Sequence, residues 1–231
     1  MSTRFKDERG LTLPELLITI MLLSILMTLV VAGFVSFSRT LTDQRMAADN
    51  TSAASIAMNE TTRVIRSGTL HPVTGQVEPD PVFAAIGRRE VVLYSYLDTD
   101  ASDPRPVKVR FWVNDRRELE ETRTVGVPVS GQRGVFTYTG ASTSRVIARR
   151  IVFNGSAPVF TYLDKNGAAV TVPTSGTLKA DTIARKETIR SIAAVQVRFT
   201  VQTDDRGQAT PATLQNTVGI PNLGVSRVEA G

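Results

Sequence analysis

The sequence contains no cysteine. Whatever part of it folds must hold together without disulfides, and thiolate nucleophiles and thiolate metal sites are excluded. Histidine occurs once, at His71 beside Pro72, so a hydrolytic site would have a single imidazole base to draw on. The signatures GxSxG, GxxxxGK[ST] and HExxH are all missing, which removes the commonest marks of a serine hydrolase, a phosphate-binding loop and a zinc protease. Blocks of like charge are missing too: 27 basic and 22 acidic residues give +5, spread along the chain rather than gathered into a nucleic-acid-binding arm. These absences point away from an enzyme, a resident cofactor or a metal centre.

Two further gaps are positional. No charged residue occurs from Leu16 through Ser38, and no proline from Glu15 to Leu70. A helix over the 23 uncharged residues would span about 35 Å, enough for the hydrocarbon core of a bilayer with some tilt. Arg4, Lys6 and Arg9 precede the run and Arg39 and Arg45 follow it, so the positive-inside rule places the N-terminus in the cytoplasm and everything after Phe37 outside. An ordinary secretory signal is the rival reading, with Val30, Val31 and Ala32 as a small-residue cleavage site. Against it, the run exceeds the usual signal core of roughly 7–15 residues, and Glu15 interrupts the junction.

Pro14 shapes the start of this helix. It lacks an N–H and restricts the residue before it, so it belongs in a first helical turn, with Gly10 to Leu13 expected to be extended. Beyond Arg39 the helical pattern continues but turns amphipathic. Met46, Ala47, Ala53, Ala54, Ala57, Met58, Val64 and Ile65 follow one stripe, with Ile56 the exception, and Gly68 is the expected stop. The spacing predicts one helix from Pro14 to Ser67, about 80 Å long.

From Pro72 onward the period changes to two. Val107, Val109, Phe111 and Val113 alternate with polar residues and Trp112, and Val195, Val197, Phe199 and Val201 do the same, the mark of half-buried strands. Further strands are expected over Val91 to Leu97, Leu119 to Val125, Val135 to Tyr138, Arg145 to Phe153, Val159 to Leu163, Ala168 to Val172 and Ala212 to Val218. The stretches Asp164 to Gly167 and Asp204 to Gly207 are expected hairpin turns. Pro72 to Asp80 and Pro173 to Lys179 are expected loops, and 221–231 a loose tail. The fold class is α+β, a long N-terminal helix on a mainly antiparallel sheet.

Gly10, Leu11, Thr12, Leu13, Pro14, Glu15, Leu16 and Leu17 carry a resemblance. A short charged leader ending in glycine, then an apolar residue, Thr, Leu, an apolar residue, Glu and a long apolar helix resembles the class III signal of type IV pilins and pseudopilins. Leu11 stands where that family usually has Phe, and Pro14 where it usually has Ile, Val or Leu. The resemblance implies cleavage by a membrane prepilin peptidase between Gly10 and Leu11, methylation of the new N-terminus, and assembly with other pilin subunits into a filament. It implies for Glu15 an ion pair with the N-terminal amine of a neighbouring subunit. The expected divisions are then a leader (1–10), a transmembrane or filament-core segment (11–38), the amphipathic continuation (39–70), a β-rich head (71–220) and the tail. The size and strand number resemble the larger minor pilins and pseudopilins. A membrane-anchored binding protein, an adhesin or DNA receptor, is the alternative.

Other candidates are weaker. Asp98, Asp100 and Asp103 cluster oxygen ligands, but without the glycine and distal glutamate of a calcium loop, and Asp164, Asp204 and Asp205 sit where turns favour aspartate. Asn50, Asn59 and Asn154 begin N-x-[ST] triplets to which no role is assigned. Arg145, Arg149 and Arg150 with Lys108 and Arg110 are candidates for a basic face near Trp112 and Tyr138 that binds nucleic acid. Solvent-facing strand positions are the favoured account of them.

Overall fold

The computed structural model describes residues 12–97, 104–152, 157–202 and 210–220. The chain divides into two compact units, Met1–Arg45 and Met46–Gly231. Helix α1, Leu13–Arg66, is 54 residues long and runs from the first into the second. Its first residue is Leu13, which the proline rule had left extended. The Leu16 N–H donates to the Thr12 carbonyl at 3.1 Å, so Pro14 sits inside the first turn, where no donor is required of it. Arg63 and Arg66 lie in the last turn, the favourable end for cations.

In the first unit every side chain from Leu13 to Val35 is exposed. The helix's hydroxyls are satisfied at home: Thr19, Ser24 and Thr28 donate to the carbonyls of Leu16, Ile20 and Ser24 at 2.7–2.8 Å. Such back-bonding removes the cost of carrying a hydroxyl through an apolar environment.

In the second unit the remaining turns of α1 bury Asn50, Ala54, Ala57, Met58, Thr61, Thr62, Val64 and Ile65. The stripe agrees with the apolar spacing, while Ile56 stays outside at 57% exposure. Two residues past the helix end, position 68 is glycine for a reason of space. A Cβ there would stand 2.7 Å from Val82 Cγ1, closer than atoms pack.

Eleven strands follow among the described residues. Six form one antiparallel sheet: β1 Phe83–Gly87, β2 Glu90–Ser95, β3 Val107–Val113, β4 Leu119–Val125, β7 Ser142–Ala148 and β9 Thr177–Lys179, in the order β7-β4-β3-β2-β1-β9. Three form a second: β8 Phe160–Asp164, β10 Ile192–Val201 and β11 Ala212–Gly219, in the order β11-β10-β8. The short β5 Val127–Pro128 and β6 Phe136–Thr137 pair with each other. One core joins the sheets to the helix, with Ala54, Met58 and Ile65 of α1 in the same cluster as Leu93, Val109 and Phe111 and as Phe160, Val195 and Phe199. Tyr162 ties the second sheet to the β1–β2 turn, its hydroxyl donating toward the carbonyls of Gly87 (3.2 Å) and Glu90 (3.1 Å).

Several expectations change. The strand expected at Arg145 begins three residues earlier and ends at Ala148, because Arg150 takes a left-handed φ of 60° and sends Ile151 across to Val201. Ala168 to Val172 forms only an isolated bridge, Leu163 to Ala169, as the return of the turn at Asp164. Part of the expected loop at Pro173 to Lys179 is instead the edge strand β9, paired with β1. Helix α2, Ile183–Arg190, was not anticipated. The Thr182 hydroxyl caps it, accepting from the Arg185 N–H, and that threonine was the available signal. The expected turn at Asp204 to Gly207, Phe153 and the 221–231 tail lie outside the described residues.

Candidate functional site

The candidate site begins at the N-terminal end of α1. Glu15 lies in the first turn, exposed, where the unpaired N–H groups and positive dipole end of the helix favour an anion. Gly10 and Leu11 fall outside the described residues. Behind Glu15, the helix is long and apolar enough to cross a membrane, with a mean hydropathy of 2.6 over its most apolar stretch and none of that stretch buried. Exposures such as 70% for Phe34 and 66% for Leu29 are far beyond what scattered surface apolar residues explain. A surface of this kind is made for lipid or for other helices.

At the other end of α1 a charge cluster, which spacing did not suggest, pins the helix to the six-stranded sheet. Glu121 on β4 is fully buried and accepts from Arg123 Nε at 2.8 Å and Arg145 Nε at 2.5 Å. Glu60 on α1 accepts from Arg63 and Arg123 at 2.9 Å each, and from Arg145. The hydrogen bond from Arg63, helped by the charges of Arg63 and Arg145, holds the Glu60 carboxyl below its ordinary range against the opposing effect of burial. A buried carboxylate needs such partners.

That cluster dismantles the basic face suggested by the sequence. Strand register puts Arg145 opposite Glu121 and Arg123 opposite Val109, on the side facing α1. Lys108 and Arg110 project from the opposite side of the same sheet, where Arg110 binds Glu90 through two hydrogen bonds of 2.7 and 3.1 Å. Its guanidinium also lies 4.6 Å from the Trp112 ring centre. Arg149 pairs with Glu118 at 3.2 Å. The five cations do not share a surface.

His71 packs against Tyr94 and Tyr138, with ring centres 4.3 and 5.2 Å away. Burial pulls its pKa down, aided by the charge of Lys108 and opposed by Asp80. Burial, with the charge of Asp80, pushes the Tyr94 phenol up to about 12. The arrangement is a packed aromatic corner rather than a nucleophile with its base. Asp164 Oδ1 accepts from the N–H groups of Asn166 and Ala168 at 2.8 Å each, the turn role expected of it. Asn50 is buried and donates to the Thr210 carbonyl at 3.1 Å, and Asn59 is exposed. Asp98, Asp100, Asp103, Asn154, Asp204 and Asp205 lie outside the described residues. Among the described residues no three His, Asp or Glu side chains stand close enough to hold a metal.

No curated protein is significantly similar to this chain. Residues 5–31 match the family model of the prokaryotic N-terminal methylation motif. That match covers Lys6 to Arg9, Gly10, Glu15 and about two thirds of the apolar run. The N-terminal segment of this chain is therefore a class III signal of the type IV pilin kind.

Proposed function

We propose that the protein is a structural subunit, a minor pilin or pseudopilin, of a type IV pilus-like filament. The observation that carries this reading is the N-terminal methylation motif at residues 5–31 set at the head of a helix whose first half buries none of its apolar side chains. Before assembly the helix spans the membrane once, with the N-terminus cytoplasmic and the β head outside. A prepilin peptidase cuts between Gly10 and Leu11, and the amine released on Leu11 is methylated. Withdrawn from lipid, the exposed face of α1 packs against the same face of neighbouring subunits.

Glu15 gives that packing its register. In a bundle of apolar helices a lone carboxylate is costly, and so is a lone ammonium. The amine of Leu11 on one subunit and Glu15 on the next relieve each other, whereas leaving either unpaired costs about 3–5 kcal/mol. Because the amine exists only after cleavage, the pair admits processed subunits alone.

The experiment is Glu15→Ala in cells that assemble the filament. The variant should still be processed and reside in the membrane, but be missing from sheared filaments. Normal incorporation would refute the pairing role. The intact mass of the membrane-extracted chain should correspond to a start at Leu11 plus one methyl group, and a start at Met1 or Gly33 would refute the signal. A simple anchored receptor would keep surface display and binding after Glu15→Ala.

A further inference from the structure

The outward face of the six-stranded sheet carries a row of residues paired strand to strand: Lys179, Ala85, Val92, Arg110 and Thr122, on β9, β1, β2, β3 and β4. Long cationic side chains stand at Lys179 and Arg110, and short ones lie between. With strands about 4.8 Å apart, the two cations are roughly 14 Å apart at their Cα atoms. Ala85 and Val92 thus form the floor of a trough. Lys108, one row along β3, enters from the side, and the cleft so formed has a volume of about 350 Å³.

The charge in this cleft is unbalanced. Glu90 lines it too, but both its oxygens are taken by Arg110, and that pair cancels. Neither Lys108 nor Lys179 stands within ion-pair distance of a carboxylate among the described residues, although Asp181, itself paired with Arg185, is near enough to Lys179 for their charges to interact. Tyr138 also lines the cleft, and its hydroxyl is buried without a hydrogen-bond partner. That hydroxyl is closed off from solvent, so Tyr138 serves the cleft as an aromatic wall rather than as a donor to its contents. Thr122 and Thr124 add hydroxyls whose single hydrogen bonds, to Ser144 and Ser142, leave acceptor capacity free.

The same geometry argues against a nucleic acid. Tyr94, Tyr138 and His71 are stacked on one another, and Arg110 covers Trp112, so base stacking would have to displace an existing ring contact. Two unpaired cations are also too few to track a polyphosphate backbone.

We propose that this cleft between Lys108, Lys179 and Tyr138 binds a compact anion carried on a hydroxylated scaffold, the carboxylate of an acidic sugar or the phosphate of a sugar phosphate. The two ammonium groups take the anion, the threonines take the hydroxyls, and the Tyr138 ring walls the cleft. This site is independent of the role given to Glu15.

The test is saturation-transfer NMR on the full chain in detergent micelles, titrating galacturonate, glucose 6-phosphate and neutral galactose. At least one acid should bind about tenfold or more tightly than galactose, and Lys108→Gln with Lys179→Gln should lower that affinity about tenfold. Thr122→Val with Thr124→Val should weaken it by a smaller factor, and Arg149→Gln, outside the cleft, should leave it unchanged. Binding of galacturonate alone identifies a carboxylate ligand, and of glucose 6-phosphate alone a phosphate ligand. No transfer from either acid, equal binding of galactose, or full affinity in the double variant with an unchanged melting temperature would overturn the site.

Discussion

The two halves of α1 share one unbroken hydrogen-bonded helix and treat water in opposite ways. From Leu13 to Val35 the residues are mostly Leu, Ile, Val and Met, and all are exposed. From Asn50 to Ile65 the buried set includes two alanines, an asparagine and two threonines. The more apolar half buries nothing within this chain, and the less apolar half lies in the core. Hydrophobicity alone therefore does not locate a core. A core helix needs a stripe of small residues that lets a sheet approach, whereas a helix apolar all round is built for surroundings that are apolar all round.

The sharpest test of that contrast places the same truncation in each half. Ile65→Ala, at a fully buried position, should destabilise the head by about 2–5 kcal/mol. Ile25→Ala, at a position 51% exposed, should leave the head's unfolding midpoint within about 0.5 kcal/mol of the parent. Chemical denaturation in micelles reads both, and equal losses would erase the distinction.

Next in size is the charge cluster that holds the second half in place. Glu121→Ala removes the buried acceptor of Arg123 and Arg145 and should cost about 1.5–3 kcal/mol, measured in the same titration. The comparison sharpens with Glu15→Ala, which should not move the head's stability at all, although it should exclude the subunit from filaments.

The smallest effect is on pH dependence. Glu60 has its folded pKa lowered, so its contribution is complete above the ordinary carboxyl range and is lost as pH falls below about 4. His71 is also lowered. The unfolded chain therefore takes up the imidazole proton first, and stability declines as pH falls below about 6.5. His71→Phe should flatten the slope between about pH 6.5 and 5 by under 1 kcal/mol and leave the acid limb to Glu60. An unchanged slope would mean that the aromatic corner does not hold His71 neutral.

Much of this architecture is legible along the chain because its causes are local. The stripe through Ala54, Ala57 and Ile65, the alternation of Val107 to Val113, and the turn at Asp164 each arise from a few consecutive residues. β3 and β4 have the expected bounds for that reason. The strands β1 and β5, the edge strand β9 and the short helix α2 were missed, and Thr177–Lys179 is a strand only because β1 offers it an edge. At the candidate site, Glu15 stood out as an acid at the margin of an uncharged run, and the methylation motif lies over it. The trough on the sheet face was invisible. Its members come from five strands and become neighbours only through register.

By itself, the sequence determined the N-terminal signal, the apolar run and the period of each principal element, because those depend on contiguous residues and their chemistry. The tertiary structure decided which charges meet. Arg145 turns from a supposed basic face to Glu121 and to Glu60, 85 positions away, while Lys108 and Lys179 end on one cleft. Strand pairing sets both outcomes, and a shift by one residue would move every one of those side chains to the other face.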